Sequence, residues 1–234
     1  MFPIRDSQRS HSIPFISVLI ICGSFYVFAL TLQLSPEEVP DFFNRYGLVP
    51  SKFLSTPYRS ATGFEGFPGS VLLTTMFLHG GLLHIIGNMW SLWIFGDNVE
   101  DSFGHVRFFI FYIICGIIAS FTHIWFSSNS SLPTVGASGA IAGVMGAYLT
   151  MFPTAKVTVL IPLLFWPLYI EVPSILFMGL WAYTQINEGL QTLNNPSTAI
   201  QGGVAWWAHV GGFFSGVILS PIFRRNSSYI TSKK

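Results

Sequence analysis

The sequence predicts an all-α polytopic membrane protein, a bundle of six transmembrane helices with a long first loop. Three observations carry that expectation. First, 51% of the 234 residues are hydrophobic and only 9% are charged, where soluble domains average about 25% charged. So few charges cannot cover a water-facing surface. Second, the apolar residues fall into six runs separated by polar segments. Third, Lys and Arg are unevenly shared. Arg5, Arg9, Arg107, Lys156, Arg224, Arg225, Lys233 and Lys234 fall in the two termini and the second and fourth loops, against Arg45, Lys52 and Arg59 in the first loop. Six spans put both termini on one side, and by the positive-inside rule that side is cytoplasmic. A net charge of +1 with no basic stripe leaves no case for nucleic-acid binding. Cys22 and Cys115 sit in apolar runs and read as packing residues, not as a disulfide framework.

Residues 1–12 are polar and read as a cytoplasmic segment. Ile13–Leu34 is the first span, too long for a signal-peptide core and followed by no cleavage pattern. Residues 35–67 mix charges with Pro, Gly and aromatics, which predicts a long ordered loop with short amphipathic helices such as Pro40–Tyr46. The second span is Ser70–Phe95, followed by a polar turn over Gly96–Gly104. The third is Val106–Phe126. The fourth begins at Val135 or Gly136 and stops at Pro153. At roughly 17 residues it is near the lower limit for crossing ~30 Å of hydrocarbon. Its Ser138 end is therefore expected below the outer surface. Lys156–Glu171 is apolar but broken by Pro162 and Pro167, which predicts an interfacial or re-entrant segment. The fifth span is Pro173–Leu190 and the sixth Gly203–Phe223. A basic tail, 224–234, follows.

Polar groups inside spans are costly and are functional candidates by default. Here they are His79, His84, Asn88, Ser138 and His209, with His123 and Gln185 near span ends. His84 and Asn88 are four apart and share a helix face. The second, fourth and sixth spans all enter from the outer side, so these groups gather in the outer half of the membrane. His209 precedes the pair Gly212 and Gly216 on one face, and the fourth span offers Gly139, Ala142, Gly143 and Gly146. Small faces let helix backbones approach closely, which would bring His209 to Ser138.

Each residue alone has a plain structural reading. A membrane serine commonly bonds its own backbone, and a small-residue face is usually packing. Their shared depth favours chemistry. An unactivated serine is a weak nucleophile and needs a base, and His209 supplies one. An oxyanion would need donors: the Ser138 amide at a helix N-terminus, with Asn88 and His84 beside it. No buried carboxylate is available to orient His209, which predicts a Ser–His dyad and not a triad.

At these residues the sequence resembles the rhomboid family of intramembrane serine proteases. Gly136-Ala137-Ser138-Gly139 matches the family's GxSG motif, Ala208-His209 with Gly212 and Gly216 its AHxxGxxxG motif, and His79, His84 and Asn88 its HxxxxHxxxN motif. The resemblance spans residues 13–223 and implies a six-transmembrane-helix rhomboid bundle acting as the catalytic domain. It implies Ser138 as nucleophile and His209 as general base. His84, Asn88 and the Ser138 amide would form the oxyanion hole. His79 would be a supporting residue for the first loop. Gly136 would let the loop drop into the helix, and Gly139, Gly212 and Gly216 would let the fourth and sixth spans meet. Glu100 stands where the family often has a glutamate. Two positions depart from the pattern. Many members carry a Trp-Arg pair in the first loop, for which Tyr58-Arg59 is a loose counterpart. Some place an aromatic four residues after the serine, where this chain has Ala142.

The expected activity is cleavage of transmembrane protein substrates, near their outer ends, by a serine endopeptidase embedded in the lipid bilayer. No metal or cofactor is implied, and no HExxH zinc motif is present. A substrate would enter past the fifth span, where Trp181, Tyr183 and Gln185 face a gate. The expected setting is a bacterial cytoplasmic (inner) membrane, with no transit segment in view. A rhomboid-like protein that binds membrane clients without cutting is one alternative. A small transporter is another, but it would need polar groups through the whole membrane depth.

Overall fold

The computed structural model describes residues 2–53, 69–163, 166–194 and 204–225. Tyr58-Arg59, the 195–203 part of the last loop, and Lys233 and Lys234 lie outside the described residues. Strand β1 (Phe2–Asp6) is followed by helices α1 (Phe15–Thr31), α2 (Glu38–Tyr46) and α3 (Ser70–Thr74), the last running on into a 3-10 turn at Thr75–Phe77. Then come α4 (Leu82–Phe103), α5 (His105–Phe126) and α6 (Ser138–Met151), the hairpin β2 (Lys156–Pro162) and β3 (Pro167–Pro173), α7 (Ser174–Asn194) and α8 (Trp206–Phe223).

Helix α6 is the axis of the molecule. Every residue from Gly139 to Tyr148 is buried, as a helix apolar on all sides must be. Helices α4, α5, α7 and α8 pack around it. By length and apolar composition α5 and α8 qualify as membrane spans, and α3 with α4 would make a third, bent by 96° at the break between them. Helices α1 and α6 are apolar but shorter, at 17 and 14 residues. Helix α7 has 21 residues and carries Gln185 and Glu188.

The all-α expectation is corrected by a three-stranded antiparallel sheet in the order β1-β2-β3. The stretch expected to be re-entrant is a hairpin in which Val157 and Val159 point inward, fully buried, between exposed Lys156 and half-buried Thr158. Pro162 and Pro167 face each other at the end of the ladder next to the turn, where proline's missing N–H costs the ladder least. Strand β1, expected to be part of a plain polar segment, pairs Phe2 with Leu160 and Asp6 with Val157. Pro3 sits beside its one register irregularity.

The second correction concerns Gly96–Gly104, expected as a polar turn. Helix α4 runs through it to Phe103, and only Gly104, at φ 79°, breaks the chain. The acidic residues are tertiary caps. Fully buried Glu100 accepts hydrogen bonds from the Ile16 and Ser17 amides at 2.8 and 2.9 Å and from the Ser17 hydroxyl at 2.8 Å. Those amides are among the unpaired donors of the first turn of α1, where a negative charge also meets the positive end of the helix. His105 Nδ1 lies 2.6 Å from the same carboxylate. Asp101 holds the Ser12 hydroxyl at 2.5 Å.

Asp6 clips β1 to the bundle. It accepts from the Tyr148 hydroxyl on α6 and from Asn98 Nδ2 at 3.0 Å. Burial pushes its carboxyl up to about 6 against the Tyr148 bond, which favours ionisation, and nearby Asp97 adds repulsion. Folded Asp6 thus holds its proton more tightly than an unfolded aspartate. Docking of β1 should strengthen as pH falls through about 6 and level off below the ordinary aspartate value of 3.8. The expected outcome is higher hydrogen-exchange protection factors for residues 2–6 at about pH 5 than at about pH 7.5, with most of that difference gone in Asp6→Asn.

Candidate active site

Ser138 is the first residue of α6, and the chain leading to it is fastened on three sides. Thr134 pairs with Leu48 of the first loop through N–H···O bonds of 3.0 and 2.7 Å. Its carbonyl also accepts from the Thr75 hydroxyl at 2.5 Å, and its own hydroxyl lies 2.9 Å from His123 Nε2. The Gly136 amide then donates to the Thr75 carbonyl at 2.9 Å. Gly136 turns the chain with φ 131°, a conformation that side chains resist. A Cβ there would also lie 2.8 Å from His84 Nε2 and 3.5 Å from Asn88 Nδ2. Both α4 side chains therefore aim at the backbone just ahead of Ser138.

His209 comes from the first turn of α8. Its Nε2 lies 2.8 Å from Ser138 Oγ. The two helices meet backbone to backbone. A Cβ on Gly212 would strike the Gly139 carbonyl, and one on Gly216 the Gly143 carbonyl. Ala142 also faces Gly212.

The remaining sequence-predicted residues surround this pair. His84, Asn88, Ser138 and His209 line one cavity of about 840 Å³, with apolar walls that include Leu48, Met76 and Leu83. That is within the ~300–1,000 Å³ of ordinary ligand pockets. Asn88 Nδ2 is buried and, among the described residues, has no hydrogen-bond partner. His79 lies in the break between α3 and α4, its Nδ1 3.3 Å from the Phe77 carbonyl and its ring edge-on to His84 at 5.2 Å. Among the described residues no three His, Cys, Asp or Glu side chains converge as a metal set would.

Two residues of α7 carry more than the sequence assigned them. Trp181, Tyr183 and Gln185 were expected together at a gate, but only Tyr183 is exposed, at 65%. Gln185 is buried, and its Oε1 lies 2.7 Å from His209 Nδ1. The Trp181 ring lies tilted over His209 with centroids 5.9 Å apart, and Trp206 meets it edge-on at 6.2 Å. The aromatic contact that Ala142 cannot make is thus supplied by another helix. The signal available beforehand was a buried-span glutamine one helical turn after a tryptophan.

The arrangement offers a hydroxyl bonded to an imidazole at a helix N-terminus, with an unpartnered amide donor across the cavity. A model of the Rhomboid domain matches residues 69–226. Three relatives illustrate the similarity. RHOMBOID-like protein 7 of Arabidopsis thaliana is 31% identical over 148 residues, 63% of this chain and 41% of that protein. Rhomboid protein 1, mitochondrial, of Saccharomyces cerevisiae is 28% identical over 152 residues, 63% of this chain and 40% of that one. Rhomboid protease GluP of Bacillus subtilis is 42% identical over 78 residues, 33% of this chain and 15% of that one. The matched segment spans less than half the length of each of these relatives.

Proposed function

The chain belongs to the rhomboid family, and from that premise we propose that it is an intramembrane serine endopeptidase that cuts transmembrane segments of other membrane proteins. The observation that carries this reading is the 2.8 Å contact between Ser138 Oγ and His209 Nε2 inside the cavity. Ser138 attacks the substrate carbonyl while His209 takes its proton. Negative charge developing on the carbonyl oxygen meets the Ser138 amide, Asn88 Nδ2 and His84. His209 then passes the proton to the leaving amine, and water admitted to the cavity releases the acyl group by the same route in reverse. His79 supports His84 through the edge-on ring contact.

In this reading residues 13–223 form the catalytic domain as six spans. The 1–12 segment docks on it through β1, and 224–234 is a basic tail. Helix α6 is short, so Ser138 is recessed below one membrane surface. Eight of the eleven Lys and Arg residues lie on the side of the termini, which makes that side cytoplasmic and the site outward-facing. The setting is a bacterial cytoplasmic membrane. Substrates enter laterally past α7, whose exposed Tyr183 faces outward.

A fluorophosphonate probe tests the chemistry without a substrate. The wild-type chain should be labelled at Ser138, located by peptide mass spectrometry, and His209→Ala should not. Equal labelling of the two, or no labelling of a folded wild-type chain, would favour a membrane-client binder that does not cut.

A further inference from the structure

In a neutral imidazole one ring nitrogen donates and the other accepts. For His209 the choice is made on α7, outside the ring. Gln185 Nε2 lies 3.3 Å from the Trp181 carbonyl oxygen, which can only accept. It also lies 3.1 Å from Thr184 Oγ1. That hydroxyl gives its own hydrogen to the Trp181 carbonyl at 2.6 Å, so toward Gln185 it offers a lone pair. Both neighbours demand a donor, and the amide must turn its NH₂ to them. Its oxygen is left facing His209 Nδ1 at 2.7 Å, and an amide oxygen can only accept. The hydrogen of His209 is therefore on Nδ1, and the lone pair of Nε2 faces the Ser138 hydroxyl.

We infer that Gln185 is a positioning residue, which through Thr184 and the Trp181 carbonyl holds His209 in the tautomer that serves Ser138. The reactive pair is thus a relay of three side chains, Ser138–His209–Gln185, with a neutral amide where a carboxylate would be the usual orienting group. Burial makes the amide the cheaper choice, since an ionised carboxylate there would carry a desolvation penalty. Gln185 is only 6% exposed, so its amide is largely shielded from water. Trp181 and Trp206 fence the ring from two directions. Trp181 thus serves twice, its ring against the imidazole and its carbonyl aiming the amide.

This inference rests on the protease reading, so its test separates the two. The full chain, reconstituted in phosphatidylcholine vesicles with a transmembrane reporter, is compared with Gln185→Met, Gln185→Glu and Ser138→Ala. Gln185→Met keeps the bulk and removes the acceptor. Its kcat should fall about 10–100-fold, within what a misaligned general base forfeits, while KM stays within about twofold. Gln185→Glu restores the acceptor and should recover most of the rate. Its carboxylate also holds a proton on the imidazole more tightly, so the acid limb of the kcat–pH profile should move to higher pH by about one unit or more. Wild-type kcat in Gln185→Met overturns the inference. So does a Gln185→Glu variant that neither recovers the rate nor moves the acid limb, because a residue that merely fills space would behave that way. Cleavage by Ser138→Ala, or none by the wild-type chain, overturns the serine-protease reading itself, whereas an inert Ser138→Ala beside an unimpaired Gln185→Met overturns only the role of Gln185.

Discussion

Ser138→Ala is expected to reduce cleavage of a transmembrane reporter to background, a loss of the order of 10⁴-fold or more, since removing the nucleophile leaves only binding and oxyanion contacts. The structure gives reasons to expect a clean effect. Ser138 is the first residue of α6, following Ala137 at the N-cap, and its hydroxyl is bonded to His209, so that hydroxyl is not what starts the helix. The approach to it is held instead by Thr134, Thr75 and Gly136. The variant should fold and keep its thermal midpoint while losing turnover. A variant that cut the reporter at the wild-type rate would remove Ser138 from the chemistry altogether.

The other large effect is expected at Gly216. A Cβ there would collide with the Gly143 carbonyl, with backbone as each of the nearest atoms. Overpacking typically costs about 1–3 kcal/mol when side chains can give way, and here none stands in between. Gly216→Val should push α8 away from α6, lower the thermal midpoint by several degrees, and carry His209 out of reach of Ser138. Activity and fluorophosphonate labelling should fall together with stability. Gly179→Ala in α7 is the matched control, because a Cβ there meets nothing within 4 Å. It should leave activity unchanged and cost no stability, since alanine suits a helix interior better than glycine by roughly 0.5–1 kcal/mol. Equal tolerance at both positions would mean that α6 and α8 do not depend on backbone contact.

What could be read in the sequence was whatever is encoded by spacing. Gly136 to Gly139, His84 with Asn88, and His209 with Gly212 and Gly216 each declare a helix face or a turn within a few residues. The sheet escaped because its members are weak signals in isolation. Strand β1 is five residues long with a proline in it. The Val157 and Val159 alternation is brief and ends at Pro162, so the prolines that bound a hairpin read as a broken apolar run. Glu100 and Asp101 looked like turn residues because charge suits a turn. Their partners, the Ile16 and Ser17 amides and Ser12, lie far away in sequence. Gln185 was hidden for a chemical reason. The usual orienting partner of a general-base histidine is a carboxylate, and an amide qualifies only once Thr184 and the Trp181 carbonyl fix which end of it faces the ring.

The pairing of Phe2 with Leu160 also has a bearing on the order in which the molecule is made. Translation delivers β1 some hundred and fifty residues before the hairpin that receives it. Asn98 and Tyr148, the groups that hold Asp6, emerge in between. A segment made before the bundle is thus among the last to find its place. Ser138 in turn waits for His209 on α8. A nascent chain arrested before α8 holds Ser138 without its imidazole partner.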